Sequence, residues 1–81
     1  MLKVRSLVHD DDLVSCVITD NSGCGRCFAV LFQMADLSPA SEIPEGCAGL
    51  VKKALPAIRQ ALAEHRIPGV SEGRSATLQV A

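Results

Sequence analysis

The sequence predicts an α+β fold: a small, mostly antiparallel sheet with one main helix on one face, in the order β-β-β-α-β. Three observations carry this. Apolar and polar residues alternate through much of the first third of the chain. A compact turn signal, Asp20-Asn21-Ser22-Gly23, separates two β-prone segments. Apolar residues then recur at helical spacing from Cys47 to His65, ahead of a short closing β-prone segment. A helix laid across one face of a small antiparallel sheet is how such elements bury their apolar sides. The chain has 81 residues, no internal repeat and no long linker, so residues 1–81 are expected to form a single domain.

Leu2, Val4 and Val8 alternate with Lys3, Arg5 and His9, the period of a half-buried strand. Asp10-Asp11-Asp12 ends it, because three like charges in succession belong in a solvated turn. The second strand, Leu13 to Thr19, is rich in β-branched residues. Asp20 then opens a type I turn and Gly23 supplies the left-handed residue of a three-residue hairpin loop. A third strand, Gly25 to Ala35, returns antiparallel.

This turn implies a register that places Asp20 opposite Cys24, Val17 opposite Cys27, Cys16 opposite Phe28 and Val14 opposite Val30. One face then carries Val14, Cys16, Ile18, Phe28, Val30 and Phe32, the expected core. The other carries Leu13, Ser15, Val17, Thr19, Cys27, Ala29 and Leu31, with Leu7 of the first strand beside them.

In the loop from Asp36 to Glu45, Ser38-Pro39 is placed to cap a single helical turn. The main helix is expected to start near Pro44-Glu45. Cys47, Val51, Leu55, Ile58, Leu62 and His65 share one arc, and the phase runs on through Pro56. This predicts one kinked helix to about His65, with two helices as the alternative. Ile67-Pro68-Gly69 ends it, Gly69 to Ser75 is a polar connection, and Ala76 to Val80 forms the closing strand.

Composition excludes more functions than it suggests. The net charge is −1, and the only aromatics are Phe28 and Phe32. A stacking platform for single strands or sugars would need more rings than that. Lys52, Arg59 and Arg66 recur every seven residues as a basic stripe on the helix. Without interleaved aromatics or a basic net charge, a solvated helix edge explains them better than nucleic acid does. No charged segment precedes an unbroken apolar run, and no apolar run approaches the ~20 residues of a membrane span. A cytoplasmic location is therefore expected, with Cys16, Cys24, Cys27 and Cys47 as thiols or metal ligands rather than disulfides.

Cys24-Gly25-Arg26-Cys27 is the one metal-like motif. A structural zinc needs four ligands, and this pair supplies two; no second pair stands at ligand spacing. Redox catalysis would want the first thiol at a helix N-terminus, whereas this pair lies between a hairpin turn and a strand. Asp10-Asp11-Asp12 lacks the spacing of a calcium loop. The glycines form no phosphate-binding loop, and His9 and His65 read as a strand-edge and a helix-end histidine. No catalytic signature is present and no cofactor is expected.

What stands out is surplus apolar surface. One helix covers one sheet face, leaving Leu13, Val17, Ala29 and Leu31 on the other. The helix itself carries a second arc, Leu50, Ala54, Ala57 and Ala61, beside the first. Water tolerates some apolar surface, but contiguous patches usually meet a partner, most often a second copy. The expected function is a small non-enzymatic protein-interaction domain acting as a homodimer. A small-ligand or zinc-binding protein using Cys24 and Cys27 is the alternative. The β-β-β-α-β order, and only the order, resembles HicB-like antitoxin domains with a truncated RNase H topology. That resemblance implies a second alternative, a nucleic-acid-associated regulatory domain.

Overall fold

Three consecutive strands form a meander in the computed structural model, which describes residues 2–21 and 25–80. These are β1 (Leu2–Asp10), β2 (Leu13–Asp20) and β3 (Arg26–Gln33). Helix α1 (Ala48–Ala63) follows, then a 3₁₀ turn (Val70–Glu72) and β4 (Ala76–Val80). The sheet order is β3-β2-β1-β4, and each neighbouring pair is antiparallel. The α+β class and the element order are those the sequence predicts. Because β2 takes one edge of β1, the chain must cross the sheet through α1 to reach the other. That crossing lays the helix over one face.

Strict alternation fails at one place in β1. Continued from Leu2 and Val4, it would bury Ser6 and expose Leu7. Instead Ser6 adopts φ +54, and the register slips between Arg5 and Val8 against β2 and between Val4 and Leu7 against β4. This β-bulge turns Leu7 into the core, where it is fully buried. It also pairs Val8 with Ser15. Leu7 therefore belongs to the core rather than the outer face, and Val8 replaces it there.

The β2–β3 hairpin corrects the expected register while preserving its faces. Thr19 pairs with Cys27, Val17 with Ala29, Cys16 with Val30 and Val14 with Phe32, each two residues further along β3 than expected. A slip of one residue would exchange the faces, but a slip of two leaves them intact. Val14, Cys16, Ile18, Val30 and Phe32 are buried as expected, and Phe28 packs at the core margin. The last pair is Asp20 with Arg26, and Gly25 takes the left-handed conformation at φ +67. Ser22 and Gly23 of the expected turn lie outside the described residues.

β3 stops at Gln33, two residues before the expected Ala35, because the chain doubles back on its edge. Gln33 N–H donates to the Ser38 carbonyl, Ala40 N–H to the Leu31 carbonyl, and Leu31 N–H to Ser41 Oγ. Ser38-Pro39 thus forms an edge cover, with Pro39 bridged to Phe32, instead of a helical turn. The Cys27–Ala29 part of that edge has no strand beside it among the described residues.

The helix starts at Ala48, later than expected, with Cys47 as its N-cap, and Pro56 lies within a single unbroken helix. Its buried residues are Val51, Ala54, Ile58 and Ala61. The contact stripe is thus rotated toward the alanines, with Leu55 and Leu62 half-buried at its flank. Small side chains at the line of closest approach let the helix settle near the sheet while leucines spread over the margins. Ala54 and Ala61, expected at an interface between copies, are fully buried against the sheet instead. Leu50 and Ala57 pack at the edge of the same core.

The helix ends in a Schellman motif: His65 N–H donates to the Leu62 carbonyl and Arg66 N–H to the Ala61 carbonyl. His65 holds the left-handed position, φ +56, that glycine usually takes.

Candidate functional site

Two regions of this fold have the makings of a functional surface: the outer sheet face and a groove at the helix C-terminus. The outer face is the one α1 does not cover. Its centre is apolar, with Val8, Leu13, Val17 and Leu31 half-buried and Ala29 exposed. Strand pairing orders the charges around that centre. Lys3 and Arg5 stand at one end of β1, opposite Thr19 and Val17, and Asp10 stands at the other end, opposite Leu13. The Asp10–Asp12 turn extends the acidic end. A shallow groove bounded by Ser15, Ala29, Leu31 and Ser41 runs beside the open part of the β3 edge.

At the basic end, Arg5 Nε donates to Thr19 Oγ1 at 3.3 Å, and Arg5 Nη2 lies 3.8 Å from Cys27 Sγ. Thr19 Oγ1 is 3.7 Å from the same sulfur. Cys27 is exposed and is bordered by a cation and a hydroxyl rather than by further metal ligands. Its expected metal partner, Cys24, lies outside the described residues.

The other two cysteines point elsewhere. Cys16 is buried on the core face, and burial pushes its thiol up to about 12, which keeps it protonated and inert. Cys47 is buried at the start of α1, with Arg26 Nη1 3.5 Å from its sulfur. Among the described residues, no three His, Cys, Asp or Glu side chains gather as a metal site. Of the basic stripe, Lys52 and Arg59 are exposed, while Arg66 pairs with Glu64 at 2.8 Å.

The second region brings together the two histidines that sequence separates by 56 positions (65 − 9). His9, Met34, Leu62, His65 and Ile67 line one open groove of about 510 Å³. His9 is placed there by the bulge, which turns the end of β1 inward, and by its own N–H, which donates to the Pro68 carbonyl at 3.0 Å. A second, polar groove shares His65 and Ile67 and is lined also by Arg66, Glu72 and Arg74.

Glu72 organises this corner. Its Oε2 accepts the Gly69 N–H at 2.7 Å, and its Oε1 accepts from Arg74 Nε and Nη2 at 3.3 and 3.0 Å. The Gly69 N–H first, then Arg74, with a smaller contribution from His9, hold this carboxyl below the usual glutamate range. No periodicity or spacing rule links His9 to His65. The only local signal was Ile67-Pro68-Gly69, which marks where the chain turns back.

No helix among the described residues is long and apolar enough to cross a membrane. No protein-family model, no curated protein and no solved structure matches the chain.

Proposed function

We propose that this protein is a non-enzymatic interaction module that works as a symmetric homodimer, packing the outer faces of two sheets together. The observation that carries the reading is the self-complementary charge order around an apolar centre. A two-fold axis lying between the sheets and perpendicular to the strands reverses strand direction. It sets Lys3 and Arg5 of one copy over the Asp10–Asp12 turn of the other. The row Val8, Ser15 and Leu31 then lies on the axis and meets its counterpart, while Val17 of each copy faces Leu13 of the other. Such an interface uses one surface twice, as closed symmetry requires. The bulge-placed Val8 widens the apolar centre, and the half-open β3 edge leaves room at the rim.

Light scattering on size-fractionated protein tests this. The expected species has twice the 8.5 kDa protomer mass. Val17→Lys is expected to convert it to monomer with an unchanged circular dichroism spectrum. Arg5→Glu should weaken the dimer, and adding Asp10→Arg in the same chain should restore it by re-forming the pair with its sign reversed. A protomer-mass species for the unmutated chain at micromolar concentration overturns the reading. So does a dimer indifferent to both Val17→Lys and Arg5→Glu.

A further inference from the structure

We propose that the open stretch of the β3 edge, Cys27–Ala29, takes up an extended aliphatic peptide as an added strand. Which backbone groups face outward there follows from the covered half of the same edge. Leu31 N–H donates to Ser41 Oγ, the Leu31 carbonyl accepts from Ala40 N–H, and Gln33 N–H donates to the Ser38 carbonyl. These odd-numbered residues therefore point their peptide groups away from β2. Successive residues of a strand alternate in this respect. Phe28 and Val30 thus bond to β2, opposite Ile18 and Cys16, while Cys27 and Ala29 turn outward with Leu31. Residues 38–41 satisfy Leu31 and Gln33, but among the described residues no strand or loop backbone bonds to Cys27 or Ala29 on that side. Two donors and two acceptors stand in a row, repeating every ~6.8 Å. The complement of such a row is another extended backbone.

The covered half also shows how the open half is filled. Residues 38–41 run along Leu31–Gln33 in the antiparallel sense, with Pro39 bridged to Phe32, and their last bond to the edge is at Ser41. An added strand continues their line. Side-chain room then sets its chemistry. The residue opposite Ala29 projects on the outer face, beside the groove lined by Ser15, Ala29, Leu31 and Ser41. That groove measures about 180 Å³, below the ~300–1,000 Å³ of small-molecule sites, so it takes one side chain rather than a ligand. The apolar walls of Ala29 and Leu31 suit an aliphatic one. The next residue turns to the helix side, where Phe28 packs at the core margin, and is aliphatic too. The residue opposite Cys27 meets Arg5 and Thr19 and is polar. Such a partner goes beyond the homodimer, because it binds the edge of the sheet rather than its face.

Hydrogen exchange and an NMR titration of the full chain test this. In the free chain the amides of Cys27 and Ala29 should exchange fast, while those of Phe28 and Val30 are protected by β2. The probe is a capped seven-residue peptide of alternating valine and threonine, added up to about millimolar concentration. It should shift the Cys27 and Ala29 amides saturably and slow their exchange. The same peptide with its backbone amides N-methylated keeps its side chains, loses its donors, and should bind at least about tenfold more weakly. Ala29→Pro removes one outward N–H without taking a hydrogen bond from β2, and should abolish binding with an unchanged circular dichroism spectrum. Protection of the Cys27 and Ala29 amides in the free chain overturns the proposal. So does equal binding of the N-methylated peptide, or the absence of saturable shifts at these two residues. Mass is read without peptide: a monomer that still binds the probe sinks only the homodimer, and a dimer that ignores it sinks only the added strand.

Discussion

Arg26 lies across Gly46: a Cβ built on that glycine would stand 2.7 Å from Arg26 Nη1. Gly46 has φ +82, and the same guanidinium nitrogen donates to the Glu45 carbonyl at 3.4 Å and approaches Cys47 Sγ at 3.5 Å. The first residue of β3 thus clasps the entrance to α1, the element that follows it. Gly46→Ala is expected to cost ~1–2 kcal/mol for the left-handed backbone, plus the displacement of Arg26. In an Arg26→Ala background the second part vanishes, so the two substitutions should be measurably non-additive in urea unfolding.

Packing of the helix on its alanine side makes a second expectation. Ala61→Leu inserts volume where the helix meets the sheet and should destabilise by ~1–3 kcal/mol. Ala63→Leu, on the exposed side, should be nearly neutral. Ile58→Ala empties a fully buried position and should cost ~2–5 kcal/mol. Chemical denaturation of the three variants checks the order. An exposed alanine arc would reverse the ranking of the two leucine substitutions.

Thiol reactivity should follow burial. Cys27 is exposed and should alkylate rapidly in native protein, whereas Cys16 and Cys47 are buried and should label only on unfolding. Peptide mapping by mass spectrometry reads each site. The Cys16 thiol, pushed up to about 12 by burial, also links stability to alkali. Its folded value lies above its unfolded one, so the stability is intact below the ordinary thiol range. It is lost progressively as pH rises toward about 12, because only the unfolded chain ionises readily. Cys16→Ala or Cys16→Val should flatten that alkaline decline.

Acid acts on the other side through Glu72. The Gly69 N–H and Arg74 hold its carboxyl below the usual range in the folded state. Its contribution is therefore present at neutral pH and lost as pH falls through that lowered value, where the folded chain must take up a proton it resists. Thermal melts from neutral pH into strong acid should show a shallower decline for Glu72→Gln than for the unmutated chain. The exposed position of this carboxylate keeps the difference small.

The fold was legible because period-two and helical-period burial are strong signals in a chain with one core. β4 falls at Ala76–Val80, where the closing apolar pair Leu78 and Val80 marked it. The exceptions share a cause: each needed a partner that local sequence does not contain. Ser6 adopts a strained conformation only because Leu7 gains a buried place between β2 and β4. The hairpin register moved by two because pairing of whole strands outweighed the preference of one short turn. The arc of α1 rotated because the leucines, read as its centre, fit the margins of the sheet better than its middle.

By itself, the sequence determined the α+β class, the order of elements and which face of β2 and β3 is buried. These follow from patterning along neighbouring residues, and burial energy scales with that patterning. The tertiary structure alone decided that Leu7 is core, that Ala54 and Ala61 touch the sheet, and that His9 and His65 share a groove. Those outcomes depend on the packing of residues distant in sequence, where a single bulge or a small rotation of one helix reassigns a side chain from solvent to site.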